Sequence, residues 1–129
     1  MLKIVLKILA PGFVIAGLTH VFLGLGADVA LGAHVAPETL ADASLDSQNR
    51  FYGACFTLYG ILLWIGASDP VRYRPILRAT FACFFFGGLV RLVSVALHGW
   101  PSTLVWSLAL SELILPPILW WLLAREEPR

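Results

Sequence analysis

Four apolar segments, each long enough to cross a bilayer, alternate with short polar segments along the chain. They cover residues 8–26, 49–67, 76–97 and 104–124. An α-helix needs about 20 mainly apolar residues to span the hydrocarbon core of a membrane. The pattern therefore predicts an all-α integral membrane protein, a four-helix bundle in which residues 1–129 form a single transmembrane domain.

The polar segments indicate where the helices begin and end. Residues 33–48 form the one sizeable loop, in which Pro37 favours a short helix because proline suits a first helical position. Asp46 or Ser47 is the expected N-cap of the second span. The turn at Ser68–Pro70 ends that span, because proline cannot continue a helix.

The first segment also has features of a secretory signal peptide. Lys3 and Lys7 precede it, and small residues follow it at 30–33. Its apolar run is longer than the roughly 7–15 residues of a signal peptide's hydrophobic region. We therefore expect it to be retained as the first span.

The positive charges of the short loops predict the orientation in the membrane. Cytoplasmic loops carry an excess of Lys and Arg. Both termini and the second connection of this multi-pass protein are therefore expected in the cytoplasm, and the 33–48 loop outside. The basic residues on the cytoplasmic side are Lys3, Lys7, Arg72, Arg74, Arg78, Arg125 and Arg129, whereas the other side has only Arg50 beside several acids.

Composition narrows the range of partners. The chain is 59% hydrophobic and only 13% charged, which identifies the lipid bilayer as its main environment. With a formal net charge of +1, it lacks the basic surface that nucleic-acid binding requires. No metal is expected, because only His34 in the acidic loop offers a histidine beside carboxylates, and no cofactor motif is found.

Several polar residues fall inside the predicted spans. An ionisable side chain at the centre of a membrane helix costs at least about 2.5–3.5 kcal/mol, so such residues usually face the bundle interior and have partners. With the predicted orientation, all four helices contribute polar residues at a similar depth in the outer half of the bundle. The predicted cluster consists of His20, Asn49, Arg50, Arg91, Ser94 and Glu112.

Arg91 and Glu112 are the natural ion pair of this cluster. One interpretation is a structural bridge that fixes how the third and fourth spans pack. The other is that the pair, with His20 and Arg50, lines a cavity in the outer half. The sequence leaves both interpretations open.

Two segments resemble a family of small bacterial four-helix membrane proteins described only as a domain of unknown function. They are Leu45–Gly53 and Phe86–Ser94. The resemblance extends over about residues 8–123 and implies the fold and the position of the site, but no activity. Because the family is bacterial, it also implies the inner (cytoplasmic) membrane. The residues that carry the resemblance are Asn49, Arg50 and Gly53, the Gly-x-x-Arg-x-x-Ser motif that ends at Ser94, and Glu112. More loosely, the architecture is similar to DoxX-type and sterol-isomerase-like bundles, a likeness of fold that assigns no function.

The leading functional hypothesis is a membrane module that binds a small amphiphilic or lipophilic ligand. Arg50 and Arg91 would face an anionic or polar head, since arginine offers a fixed charge and a fork of donors. Phe56 and Phe84 would contact the apolar part of the ligand.

Two further hypotheses compete with ligand binding. The first is a membrane enzyme in which Glu112 or His20 exchanges protons with a lipophilic substrate. Against it, Arg91 would keep Glu112 ionised, which suits a counter-ion better than an acid. The second is an accessory or structural subunit of a larger membrane complex, or a homo-oligomer.

Overall fold

The computed structural model describes residues 1–126, and the chain folds there into six helices. They are α1 (Leu2–Leu23), α2 (Gly26–Ala30), α3 (Pro37–Leu40), α4 (Ala43–Ser68), α5 (Arg74–His98) and α6 (Thr103–Ala124). Four of them, α1, α4, α5 and α6, are long and apolar enough to cross a bilayer. The predicted all-α fold with four membrane helices is confirmed, and the protein is a multi-pass membrane protein.

The long helices pack as two antiparallel pairs, α1 with α4 and α5 with α6. Lys3 Nζ, at the start of α1, donates to the carbonyl of Ser68 at the end of α4, over 3.2 Å. Arg74, at the start of α5, donates to the carbonyl of Glu126 just after α6. The beginning of the chain, the α4–α5 turn and residue 126 therefore lie at the same end of the bundle.

Helix α1 does not coincide with the predicted first span, residues 8–26, at either end. Helix α1 already begins at Leu2, because Lys3 reaches along the bundle to Ser68 and its charge does not interrupt the helix. The helix stops at Leu23 because Gly24 has a φ of 54°, a left-handed conformation that favours glycine.

Helix α4 also begins earlier than predicted, at Ala43 rather than at residue 49. Asp42 is its N-cap, accepting from the backbone N–H groups of Ser44 at 2.8 Å and Leu45 at 3.0 Å, so the expected cap at Asp46 or Ser47 is wrong. A helix of 26 residues is about 39 Å long, which exceeds the roughly 30 Å of hydrocarbon. Its polar first turns thus extend beyond the apolar layer. The short helix expected at Pro37 is present as α3.

A glycine seam, formed by Gly17, Gly53 and Gly60, brings α1 and α4 into backbone contact. A Cβ added at Gly17 would lie 2.4 Å from the backbone nitrogen of Thr57 and 2.6 Å from the carbonyl oxygen of Gly53. A Cβ at Gly60 would lie 2.7 Å from the carbonyl oxygen of Ala10. Small residues permit such approaches between membrane helices. The seam makes α1 and α4 one rigid wall of the bundle.

The hydrophobic core occupies only one end of the bundle, which we call the closed end. There the starts of α1 and α5 meet the ends of α4 and α6. Its fully buried large side chains include Leu2, Leu6, Leu63, Leu77, Phe81, Leu119 and Leu123. At the opposite end, which carries α2, α3 and the α5–α6 turn, the two helix pairs separate around a cavity.

Candidate functional site

The cavity between the two helix pairs has a volume of about 970 Å³ and is partly open to its surroundings. All four long helices contribute to its walls, together with the loops that follow α1 and α5. Gly12 and Ala16 of α1 face Leu108 and Leu115 of α6 across it. Its volume lies near the upper end of the roughly 300–1,000 Å³ that is typical of small-molecule sites.

An aromatic cluster separates the cavity from the core of the closed end. The ring of Phe13 lies 5.0 Å from that of Phe84 in an edge-to-face arrangement, and 6.2 Å from that of Phe56. All three rings line the cavity, and Tyr59 lies beside them with its ring 4.8 Å from Phe13. The hydroxyl of Tyr59 donates to the carbonyl of Thr80 over 2.7 Å, so this aromatic floor is fixed by packing and by a hydrogen bond.

The expected ion pair between Arg91 and Glu112 is present in the wall formed by α5 and α6. Arg91 Nε donates to Glu112 Oε2 over 2.7 Å. The side chain of Glu112 is 8% exposed and that of Arg91 is 35% exposed. Gly87, one turn before Arg91, lies beside the carboxylate: a Cβ there would be 3.7 Å from Glu112 Oε2, an ordinary van der Waals contact. Both members of the pair line the cavity.

A second polar group lies on the opposite wall, at the end of α1. Asp28 of α2 accepts a hydrogen bond from Asn49 Nδ2 through Oδ2, and its Oδ1 lies 3.7 Å from His20 Nε2. His20, Asp28 and Asn49 all line the cavity. Asn49 Oδ1 is buried, with no hydrogen-bond partner among residues 1–126. This wall therefore contains more acceptors than donors.

The tautomer of His20 follows from its backbone contact. His20 Nδ1 lies 2.8 Å from the carbonyl oxygen of Ala16, and a carbonyl only accepts. Nδ1 therefore carries a proton, and in the neutral ring Nε2 is an acceptor. It faces Asp28 Oδ1, which is also an acceptor.

The structure does not bring the whole predicted cluster together. Four of its members, His20, Asn49, Arg91 and Glu112, line the cavity, whereas Arg50 and Ser94 do not.

Arg50 is instead part of the α1–α4 contact. Its Nε donates to Asp46 over 2.6 Å, and its Nη1 donates to the carbonyls of Val21 and Phe22 at the end of α1. It thus stabilises the end of α1, where backbone carbonyls lack helical partners. Ser94 is exposed and does not line the cavity, although it lies on nearly the same face of α5 as Arg91.

Asp28 is a site residue that sequence reasoning missed. It lies beyond the first apolar segment, and the sequence pattern indicates only that it is one of the acidic residues expected on the outer side of the membrane. Helix α2 turns the chain after Gly24 and returns Asp28 toward His20 and Asn49. The signal that could have found it is an acid eight residues after an intramembrane histidine, with a glycine between them that permits the turn.

The charged side chains in and near the cavity are mostly paired with one another. Arg91 and Glu112 neutralise each other, and Arg50 is occupied by Asp46 outside the cavity. Among the lining residues in the described part of the chain, Asp28 is the carboxylate that pairs with no arginine or lysine. The cavity therefore combines an apolar floor with a polar end of net negative character.

The model of one protein family, described as a domain of unknown function (DUF4345), matches residues 1–123. The match confirms the resemblance to a family of that description and extends over nearly the whole chain. No curated protein and no solved structure matches the chain.

Proposed function

We propose that the chain, which belongs to the DUF4345 family, binds a small amphiphile in the cavity between its two helix pairs. The observation that carries the proposal is the cavity itself, about 970 Å³ in volume, with an aromatic floor and a polar end. Membrane helices normally pack closely through small residues, as α1 and α4 do here. A hollow of this size with charged residues in its walls is difficult to explain by packing alone.

The cavity walls have an apolar part and a polar part. Phe13, Phe56 and Phe84 offer an apolar surface for a hydrocarbon chain or ring. Arg91 uses its Nε for Glu112, and its terminal nitrogens have no hydrogen-bond partner among residues 1–126, so they are available to an acceptor on the ligand. Glu112 holds the guanidinium in place. In this proposal the Arg91–Glu112 pair both fixes two helices and orients a ligand.

A cavity-filling variant tests the proposal. Gly12 lines the cavity, and a Cβ added there would meet no atom within 4 Å. Gly12→Phe is therefore expected to fill part of the hollow while leaving the fold intact. The measurement is photolabelling of the purified protein by a long-chain alcohol that carries a diazirine. We expect labelled peptides from α6 in the unsubstituted protein and labelling reduced by about tenfold or more in Gly12→Phe, the equivalent of about 1.4 kcal/mol.

Ile15→Phe is the matched control, because Ile15 lies on the same helix and is 65% exposed on the outer surface. It adds the same ring outside the cavity and should leave labelling unchanged. Equal labelling of all three proteins would show that the probe binds only the lipid-facing surface, and the proposal would fail.

The proposal includes an orientation in which the cavity lies in the outer-leaflet half of the inner membrane. The closed end carries Lys3, Lys7, Arg72, Arg74 and Arg78, the charges that remain cytoplasmic in multi-pass proteins. A phosphatase that is active only outside the cytoplasm should therefore be inactive when fused to the C terminus. Inserted into the loop between α2 and α3, it should be active. The reverse pattern would place the cavity in the inner leaflet.

A further inference from the structure

We infer that Asp28 and His20 form a subsite for a protonated amine on the head group of the ligand. This inference rests on the proposed function, because it specifies the chemistry of a molecule bound in the same cavity. The inference is based on two neighbouring hydrogen-bond acceptors, neither of which can donate to the other.

The first acceptor is His20 Nε2. The proton of the neutral ring is on Nδ1, which donates to the carbonyl of Ala16 over 2.8 Å. The second acceptor is Asp28 Oδ1, which lies 3.7 Å from Nε2, too far for a direct hydrogen bond. Neither atom has a hydrogen-bond donor among residues 1–126. A donor from outside the chain would satisfy both.

Asn49 determines which oxygen of Asp28 remains available. Its Nδ2 donates to Asp28 Oδ2, so that oxygen is occupied and Oδ1 faces His20. Asn49 Oδ1 is buried without a partner in the described part of the chain, and its partial negative charge adds to that of the carboxylate. The local field at the subsite therefore favours a cation.

The charge balance separates an ammonium from a neutral or anionic head. Arg91 is the one arginine or lysine among the lining residues in the described part of the chain, and it already pairs with Glu112. Arg50 pairs with Asp46 and does not line the cavity. Asp28 is thus a partly buried carboxylate without a cationic side-chain partner other than His20. An ammonium brings a positive charge to the carboxylate and can donate to His20 Nε2 at the same time, whereas a neutral hydroxyl has one proton to donate. An ammonium should therefore bind here better than a hydroxyl.

The geometry fits a single nitrogen with several protons. An atom that lies about 2.9 Å from each of two acceptors separated by 3.7 Å makes two ordinary hydrogen bonds. A primary ammonium has three N–H donors, which leaves its carbon chain free to extend toward the aromatic floor. Arg91, on the opposite wall, is then available for an acceptor elsewhere on the same head group.

The test compares three twelve-carbon competitors that differ only in the head group: dodecylammonium, dodecanol and dodecanoate. Each displaces the photoreactive alcohol from the unsubstituted protein at pH 7. We expect dodecylammonium to compete at a concentration about tenfold lower than dodecanol, and dodecanoate to be the weakest competitor. Asp28→Asn keeps the acceptor for Asn49 but removes the charge, and should reduce the preference for the amine to about twofold or less. Glu38→Gln, which removes an exposed acid of α3 outside the cavity, should preserve it.

The outcomes distinguish this inference from the proposal on which it depends. If dodecanol or dodecanoate competes as well as dodecylammonium, or if Asp28→Asn keeps the full preference, the amine subsite is wrong while the cavity still binds amphiphiles. The preference for an amine would be absent if His20 were an imidazolium that pairs directly with Asp28. If the probe labels no cavity residue and no competitor has an effect, the proposed function itself fails. If Asp28→Asn does not fold, the order in which the three competitors displace the probe from the unsubstituted protein still tests the inference.

Discussion

Replacing Arg91 with alanine is expected to lower the free energy of unfolding by about 3 kcal/mol. Removing one member of a buried pair typically costs about 3–5 kcal/mol, because the other charge stays buried without compensation. Glu112 is nearly fully buried, but the 35% exposure of Arg91 admits some screening, so we expect the lower end of that range. Reversible unfolding in mixed micelles measures the change.

Two further variants show whether the cost comes from the unpaired carboxylate. In the Arg91→Met, Glu112→Leu double variant neither charge remains, and most of the lost stability should return. Arg78→Ala removes an exposed arginine from the same helix and should change stability by less than about 0.5 kcal/mol. A loss in Arg91→Ala no larger than in Arg78→Ala would contradict the account of the pair.

Adding one methyl group at Gly17 should be as damaging as removing a charge. The new Cβ in Gly17→Ala would lie 2.4 Å from the backbone of Thr57, and no side-chain rotation relieves a contact with backbone. Overpacking typically costs about 1–3 kcal/mol, and the upper half of that range is expected because α1 must move away from α4. The same unfolding measurement applies.

Gly12→Ala is the matched control on the same helix. A Cβ at Gly12 has no neighbour within 4 Å, so only helix propensity acts, and alanine should stabilise by up to about 1 kcal/mol. The two alanine variants should therefore change stability in opposite directions. Equal effects at both positions would show that the glycine seam does not hold α1 and α4 together.

The sequence predicted the number of long helices and most of their extent because span length is set by hydropathy. Helices α5 and α6 begin and end within two residues of the predicted spans 76–97 and 104–124. Helices α1 and α4 begin before the predicted spans, because charged and polar side chains were taken as helix boundaries. Lys3 lies inside α1 with its amine at the bundle end, and Asp46 lies inside α4, paired with Arg50. Hydropathy marks the apolar part of a helix rather than the whole helix.

The sequence predicted the part of the site in which two ionisable residues are buried in the membrane. It missed the part whose position depends on local backbone geometry. Arg91 and Glu112 could be paired from sequence, since each is costly alone in a membrane. Arg50 was misplaced because its i,i+4 spacing from Asp46 was overlooked, although the sequence shows it. Its contact with the carbonyls at the end of α1 is a tertiary feature that the sequence does not show. The contact of Asp28 with His20 depends on the turn at Gly24, a tertiary feature that helical periodicity does not encode.

Native mass spectrometry of the protein, extracted gently from its own membrane, tests the central claim most directly. The unsubstituted chain and Gly12→Phe are compared under identical conditions. The cavity account predicts a small molecule that remains bound to the unsubstituted chain and is lost from Gly12→Phe. The amine subsite predicts in addition that this molecule carries an amine in its head group. A bare protein in both samples, or the same bound mass in both, would contradict the claim that the cavity is a binding site.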